Sequence, residues 1–256
     1  MQQIELELAG GGVLTVSLRA SLDAMPAVKQ RPLVLVVPGG GYDHVSPREG
    51  DPVALQFAAA GYHTAVLTYS VGEGAQNYRP LRQLNEALAL LRQNAGEWHI
   101  LPDKIAVCGF SAGGHLAASA ATMLPEEVRP AFAVLIYPVI TAESGKCHKG
   151  SFDHLLGTDR TAGDEAQWSL QNRVTASTPP ALLLAADDDR SVPPVNSVLF
   201  YAALKRHGIP ASLRIYPSGG HGGGFNPVPE ADPTDGLLDV LLAVSYTHLR
   251  AHETLA

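Results

Sequence analysis

Apolar positions along the chain follow two rhythms. Residues 4–8 and 13–18 alternate apolar with polar, and the glycines at 10–12 lie between them, which predicts two half-buried strands joined as a hairpin. Residues 33–37, LVLVV, are continuously apolar, as in a strand buried on both faces. Residues 64–69, 104–108, 131–137, 181–186 and 212–216 are further strand-length runs. Helical stretches lie between them. Asp51 is placed to cap a helix with Pro52 in its first turn and a stop at Gly61. Residues 80–94 carry leucines at 81, 84, 88 and 91, a stripe of helical period closed by Gly96. A helix of small residues follows Ser111, another spans 195–206 and stops at Gly208, and 236–243 reads as a last amphipathic helix.

Strands that alternate with helices imply an α/β fold: a mostly parallel central sheet with helices on both faces. The pattern shows no repeat and no second domain. Residues 139–178 break it, with mixed charge and little periodicity, and a connection that long is expected to form a short cap or lid. Residues 1–243 therefore read as a single domain with a lid-like insertion at 139–178. Residues 244–256, VSYTHLRAHETLA, lose the apolar period, look like the translation of a sequencing adapter, and are expected not to be native.

Charge narrows the function classes. Lys and Arg number 18 against 25 Asp and Glu, a formal net charge of -7, with no basic block for a phosphate backbone, so nucleic acid is not an expected partner. No apolar run approaches the roughly 20 residues that span a bilayer, so no membrane partner is expected. MQQIELELAG lacks the apolar core of a secretory signal, which makes the cytoplasm the expected location. Two cysteines make no disulfide framework. Oligomeric state is not legible.

The chemistry starts at CGFSAGG. Gly109, Phe110, Ser111, Ala112 and Gly113 match G-x-S-x-G, and the match follows a strand and opens a helix. A serine presented on such a tight turn needs small neighbours, and its hydroxyl needs a base. Of ten histidines, His221 stands apart: it follows the last strand in SGGHGGGF, where flanking glycines let an imidazole approach a backbone turn. His115, four residues after the serine, reads as packing, and His44, His148 and His154 fall in loops. An orienting carboxylate is expected between serine and histidine in chain order. Asp187, Asp188 and Asp189 stand directly after the run at 181–186, where a parallel strand ends. A cation site there is disfavoured because no second carboxylate cluster accompanies them. PGGGY, residues 38–42, follows the third strand, where inward N–H groups of Gly40 and Gly41 would join that of Ala112 in an oxyanion hole. A phosphate loop is excluded, since no G-K-[ST] follows, and G-x-G-x-x-G is not completed at 39–44.

Four stretches, VVPGGGYDHVSPREGDPVA, AVCGFSAGGHLAA, STPPALLLAADDDRSVPPVNS and YPSGGHGGGF, resemble the α/β-hydrolase superfamily over nearly the whole chain. They are most similar to its acetyl-xylan-esterase-like branch, near the hormone-sensitive-lipase and feruloyl-esterase groups. The resemblance implies an α/β-hydrolase fold and a serine esterase for short acyl groups, acting on a small-molecule or oligosaccharide ester without metal or organic cofactor. It selects Asp189 as the acid, because D-x-x-V-P is that residue's usual setting, and implies Ser111 as nucleophile and His221 as base. Tyr42, Arg48, Glu49 and Phe110 are expected near the substrate, with bracing of the loop as the alternative for Arg48 and Glu49. The chain departs from the family at Pro38, where many relatives have His, and at 222–224, where three glycines loosen the turn after His221. A peptidase or amidase on the same fold shares these features, and a non-catalytic hydrolase-like binding protein is the other alternative.

Overall fold

The alternating residues near the start pair as expected. β1 (Gln2–Leu8) and β2 (Gly12–Leu18) form an antiparallel hairpin in a computed structural model that describes residues 1–20 and 29–223. The apolar runs supply β3 (Arg31–Val37), β4 (His63–Thr68), β5 (Ile100–Phe110), β6 (Phe132–Ile136), β7 (Ala181–Ala186) and β8 (Ala211–Tyr216). Among the described residues these eight strands join one sheet, in the order β1-β2-β4-β3-β5-β6-β7-β8. β2 runs antiparallel to β4, and every pairing from β4 to β8 is parallel.

The continuous apolar runs are explained by burial on both faces. Leu33, Leu35 and Val37 of β3 point into one core, with Leu84, Leu88 and Leu91 of α2 (Arg79–Gln93), Leu116 of α3 (Ser111–Met123) and Phe200 of α6 (Val195–Arg206). Val34 and Val36 point the other way, against Phe57 of α1 (Asp51–Ala59) and Val134 and Leu182 of the neighbouring strands. Each fully buried leucine of the α2 stripe contributes about 1.5–3 kcal/mol.

The structure corrects three readings. Gly50, not Asp51, is the N-cap of α1; Asp51 is its first residue, where a carboxylate still suits the positive helix end. β5 extends well beyond 104–108 in both directions. The segment 139–178 is more regular than its composition suggests: it holds α4 (Lys149–Leu156) and α5 (Ala162–Trp168), the latter opened by a reciprocal capping box between Thr161 and Asp164. Arg160 ties the two helices, 2.5 Å from Asp153 and 2.9 Å from Glu165. The helix expected at 236–243 and the tail at 244–256 lie outside the described residues. The ends of β3, β5, β6 and β7 are in register, Val37 beside Gly109, Gly109 beside Leu135 and Ile136 beside Leu184, so the loops that follow them gather at one rim.

Candidate active site

Ser111 occupies the junction between β5 and α3. Its φ of 52° lies in the left-handed region, costing on the order of 1–3 kcal/mol for a residue with a side chain. The turn closes only because its neighbours are small: a Cβ on Gly113 would overlap the carbonyl oxygens of Val37 and Pro38. Val139 N–H donates to Ser111 O at 3.0 Å and ties the turn to the segment after β6.

His221 reaches this turn from the loop after β8. Its Nε2 lies 2.9 Å from Ser111 Oγ, and its Nδ1 lies 2.6 Å from Asp189 Oδ2. A carboxylate only accepts, so Nδ1 carries the proton and Nε2 is left to accept from the serine hydroxyl. Asp189, from the turn after β7, is the carboxylate the geometry selects; its side chain is fully buried. Its other oxygen accepts from Ser191 N–H and Val192 N–H, both at 2.9 Å. Burial raises the Asp189 pKa, but the hydrogen bond and charge of His221 and the two backbone donors outweigh it and hold the carboxyl below its ordinary value. Asp188 instead accepts from Gly220 N–H at 2.8 Å and anchors the histidine loop, and Asp187 is exposed.

The loop after β3 lies opposite. Gly40 has a φ of 121°, and a Cβ there would collide with His44 O, so only glycine fits. Gly40 and Gly41 line a cavity of about 340 Å³ together with Ser111 and His221. Their N–H groups meet no acceptor among the described residues. Ala112 N–H belongs to the first turn of α3, ahead of the intrahelical ladder. These are the three expected donors.

The expected contact residues divide. Arg48 and Glu49 line the cavity, but Glu49 is only 3% exposed, and its carboxylate accepts from Gly39 N–H at 2.8 Å and from the Tyr137 hydroxyl at 2.7 Å. Tyr42 and Phe110 do not line it. Tyr42 is buried, and its hydroxyl bonds His115 Nδ1 at 3.0 Å; Phe110 packs in the core with Val36 and Val134. Tight burial of the turns they flank draws both rings inward. Three histidines assigned to loops do face the cavity: His44, in the turn after β3, and two placed there by α4. His148 caps α4, with Nδ1 accepting from Ser151 N–H, and His154 on that helix bonds Gly41 O at 3.2 Å through Nδ1. Burial, and then the neighbouring His221, lower the His148 pKa. No spacing signal marked either, because their position depends on α4 folding over the rim.

A serine at a strand-to-helix turn, an imidazole and a buried carboxylate, beside a backbone-lined hollow, have the arrangement of a Ser-His-Asp triad. A family model described as BD-FAE matches residues 23–130. The chain is 39% identical over 197 residues to an acetylxylan esterase of Xylanibacter ruminicola, a match covering 75% of this chain; the chain spans only 41% of that protein. Among solved structures, an acetyl ester-xyloside bifunctional hydrolase from Caldicellulosiruptor lactoaceticus superposes with a TM-score of 0.77 at 36% identity, over 84% of this chain and 80% of that one. MGS-M1, an α/β-hydrolase enzyme from a Medee basin deep-sea metagenome, superposes with a TM-score of 0.73 at 32% identity, over 94% and 93%. The chain belongs to the α/β-hydrolase family, in its acetyl-xylan-esterase-like group.

Proposed function

We propose that this chain is a serine carboxylic-ester hydrolase for short acyl esters, acetyl above all, carried on xylan fragments or other sugars. The observation that carries the reading is the continuous path from Ser111 Oγ through His221 to Asp189, at 2.9 and 2.6 Å. Ser111 attacks the ester carbonyl as His221 Nε2 takes its proton, and Asp189 stabilises the imidazolium and fixes its tautomer. The N–H groups of Ala112 and Gly40, with Gly41, receive the oxyanion, each worth about 3–4 kcal/mol in the transition state. His221 then protonates the leaving alcohol, and water repeats the sequence on the acyl-enzyme. The cavity's polar wall of Arg48, His148, His154 and Ser191 suits a hydroxyl-rich leaving group better than a long alkyl chain.

The test compares hydrolysis of p-nitrophenyl esters of increasing acyl length, acetylated xylo-oligosaccharides and a peptide anilide by the wild type and Ser111→Ala. Acetate release that disappears in a folded Ser111→Ala protein is expected. Activity that survives the substitution rejects the serine, and cleavage of the anilide alone makes the protein an amidase.

A further inference from the structure

Behind the catalytic rim lies a buried carboxylate that proton transfer does not use. Glu49 sits in a short 3₁₀ turn, Pro47–Glu49, and receives one donor on each oxygen: Gly39 N–H on Oε2 at 2.8 Å and Tyr137 O–H on Oε1 at 2.7 Å. Both donors lead to the reacting groups. Gly39 N–H belongs to the Pro38–Gly39 peptide, one before the peptide that carries the Gly40 N–H. The carbonyl of that same peptide, Pro38 O, accepts from the Tyr69 hydroxyl at 2.7 Å. That plane is thus gripped on both sides, and the next one, which carries the Gly40 N–H, is held by its own carbonyl, Gly39 O, accepting from Ser46 N–H at 3.0 Å. The Tyr137 ring lies 4.8 Å from the His221 ring, tilted 57°. Tyr137 is itself held with a φ of 36°, its N–H donating to Leu184 O at 2.6 Å.

We propose that Glu49 is a positioning residue for ester hydrolysis: a single carboxylate that sets the oxyanion loop through Gly39 and the histidine through Tyr137. The inference rests on the esterase reading given above. A carboxylate spanning two donors from different loops makes the hole and the base parts of one frame. What matters is the span of the side chain more than its charge. A glutamine has the same reach: its oxygen accepts from Gly39 N–H, and its NH₂ donates to a Tyr137 hydroxyl that rotates to accept. An aspartate keeps the charge but is one methylene short, so it cannot hold both donors.

The experiment measures kcat and KM on p-nitrophenyl acetate, with the rate of fluorophosphonate labelling of Ser111 by mass spectrometry, for the wild type, Glu49→Gln, Glu49→Asp and Tyr137→Phe. Glu49→Asp is expected to lose about ten-fold or more in kcat and in labelling rate with KM within about three-fold, because hole and base act chiefly in the transition state. Glu49→Gln is expected to stay within about three-fold of wild type in both. Tyr137→Phe keeps the ring beside His221 but frees it from Glu49, and is expected to lower kcat by about three- to ten-fold; it serves alone if Glu49→Asp does not fold. Wild-type rates in Glu49→Asp or Tyr137→Phe, or a Glu49→Gln protein as slow as Glu49→Asp, overturn the proposal while leaving the esterase reading intact. A wild type that neither hydrolyses acetate esters nor labels at Ser111 overturns both.

Discussion

His115 makes the fold's stability depend on pH in a way that can be isolated. It lies on α3, four residues after Ser111, and is fully buried. Its Nε2 lies 3.0 Å from Trp168 O, and its Nδ1 lies 3.0 Å from the Tyr42 hydroxyl. A carbonyl only accepts, so Nε2 carries the proton and Nδ1 accepts from Tyr42, which satisfies the neutral ring completely. Burial lowers the His115 pKa to about 4, only partly offset by the bond to Trp168 O, against an ordinary value of 6.5. As pH falls below the ordinary value, the unfolded chain takes up a proton that the folded chain refuses. Stability is therefore full above about pH 6.5, falls as pH drops toward about 4, and loses nothing further from this group below that. The separation of about 2.5 pKa units amounts to about 3 kcal/mol at the acid end and about 2 kcal/mol at pH 5. His63, buried and likewise lowered to about 4 chiefly by burial, adds a loss of the same sign. A His115→Gln substitution removes only the first contribution. Urea midpoints measured near pH 8, 6.5 and 5, followed by tryptophan fluorescence, are expected to fall less steeply in the variant, by about 2 kcal/mol across the range. Parallel curves for the two proteins would refute the assignment of that loss to His115.

The site and its frame carry further expectations. Asp189→Asn is expected to lower kcat about 10⁴-fold by upsetting the His221 tautomer, whereas Asp187→Asn, altering an exposed residue outside the triad, leaves esterase rates near wild type; equal losses would mean the wrong acid has been chosen. Gly113→Ala forces a methyl group into the Val37 and Pro38 carbonyls, and thermal melting is expected to report a loss of about 2–3 kcal/mol or failure to fold. Arg160→Ala removes the ties between α4 and α5, and limited proteolysis is expected to cut the 149–168 stretch before the sheet; an unchanged cleavage pattern would show that the apolar contacts of Phe152 and Trp168 suffice.

Residue order alone determined much of this protein. The strand and helix runs were legible because a strand buried on both faces must be continuously apolar, and a helix on one face must repeat at 3.6. The elbow at Ser111 was legible for a steric reason, since only small residues fit that turn, and Gly109, Gly113 and Gly114 announce it. His221 and the acidic run after β7 were legible from their places at the ends of strands. Tertiary structure decided the rest. The segment 139–178 became two helices because Phe152, Leu155 and Trp168 found an apolar surface that local composition does not reveal. Tyr42 and Phe110 turned inward although they border the hole and the nucleophile, because a loop sequence carries no period from which to read side-chain direction. Glu49 is the clearest case. In sequence it is one more charge in a polar loop, beside Arg48; in the fold it is a buried acceptor, because Gly39 and Tyr137, 10 residues before it and 88 after it, bring their donors to the same point. A charge can be buried only where distant segments converge to satisfy it, and convergence is a property of the packed sheet and not of any stretch of chain.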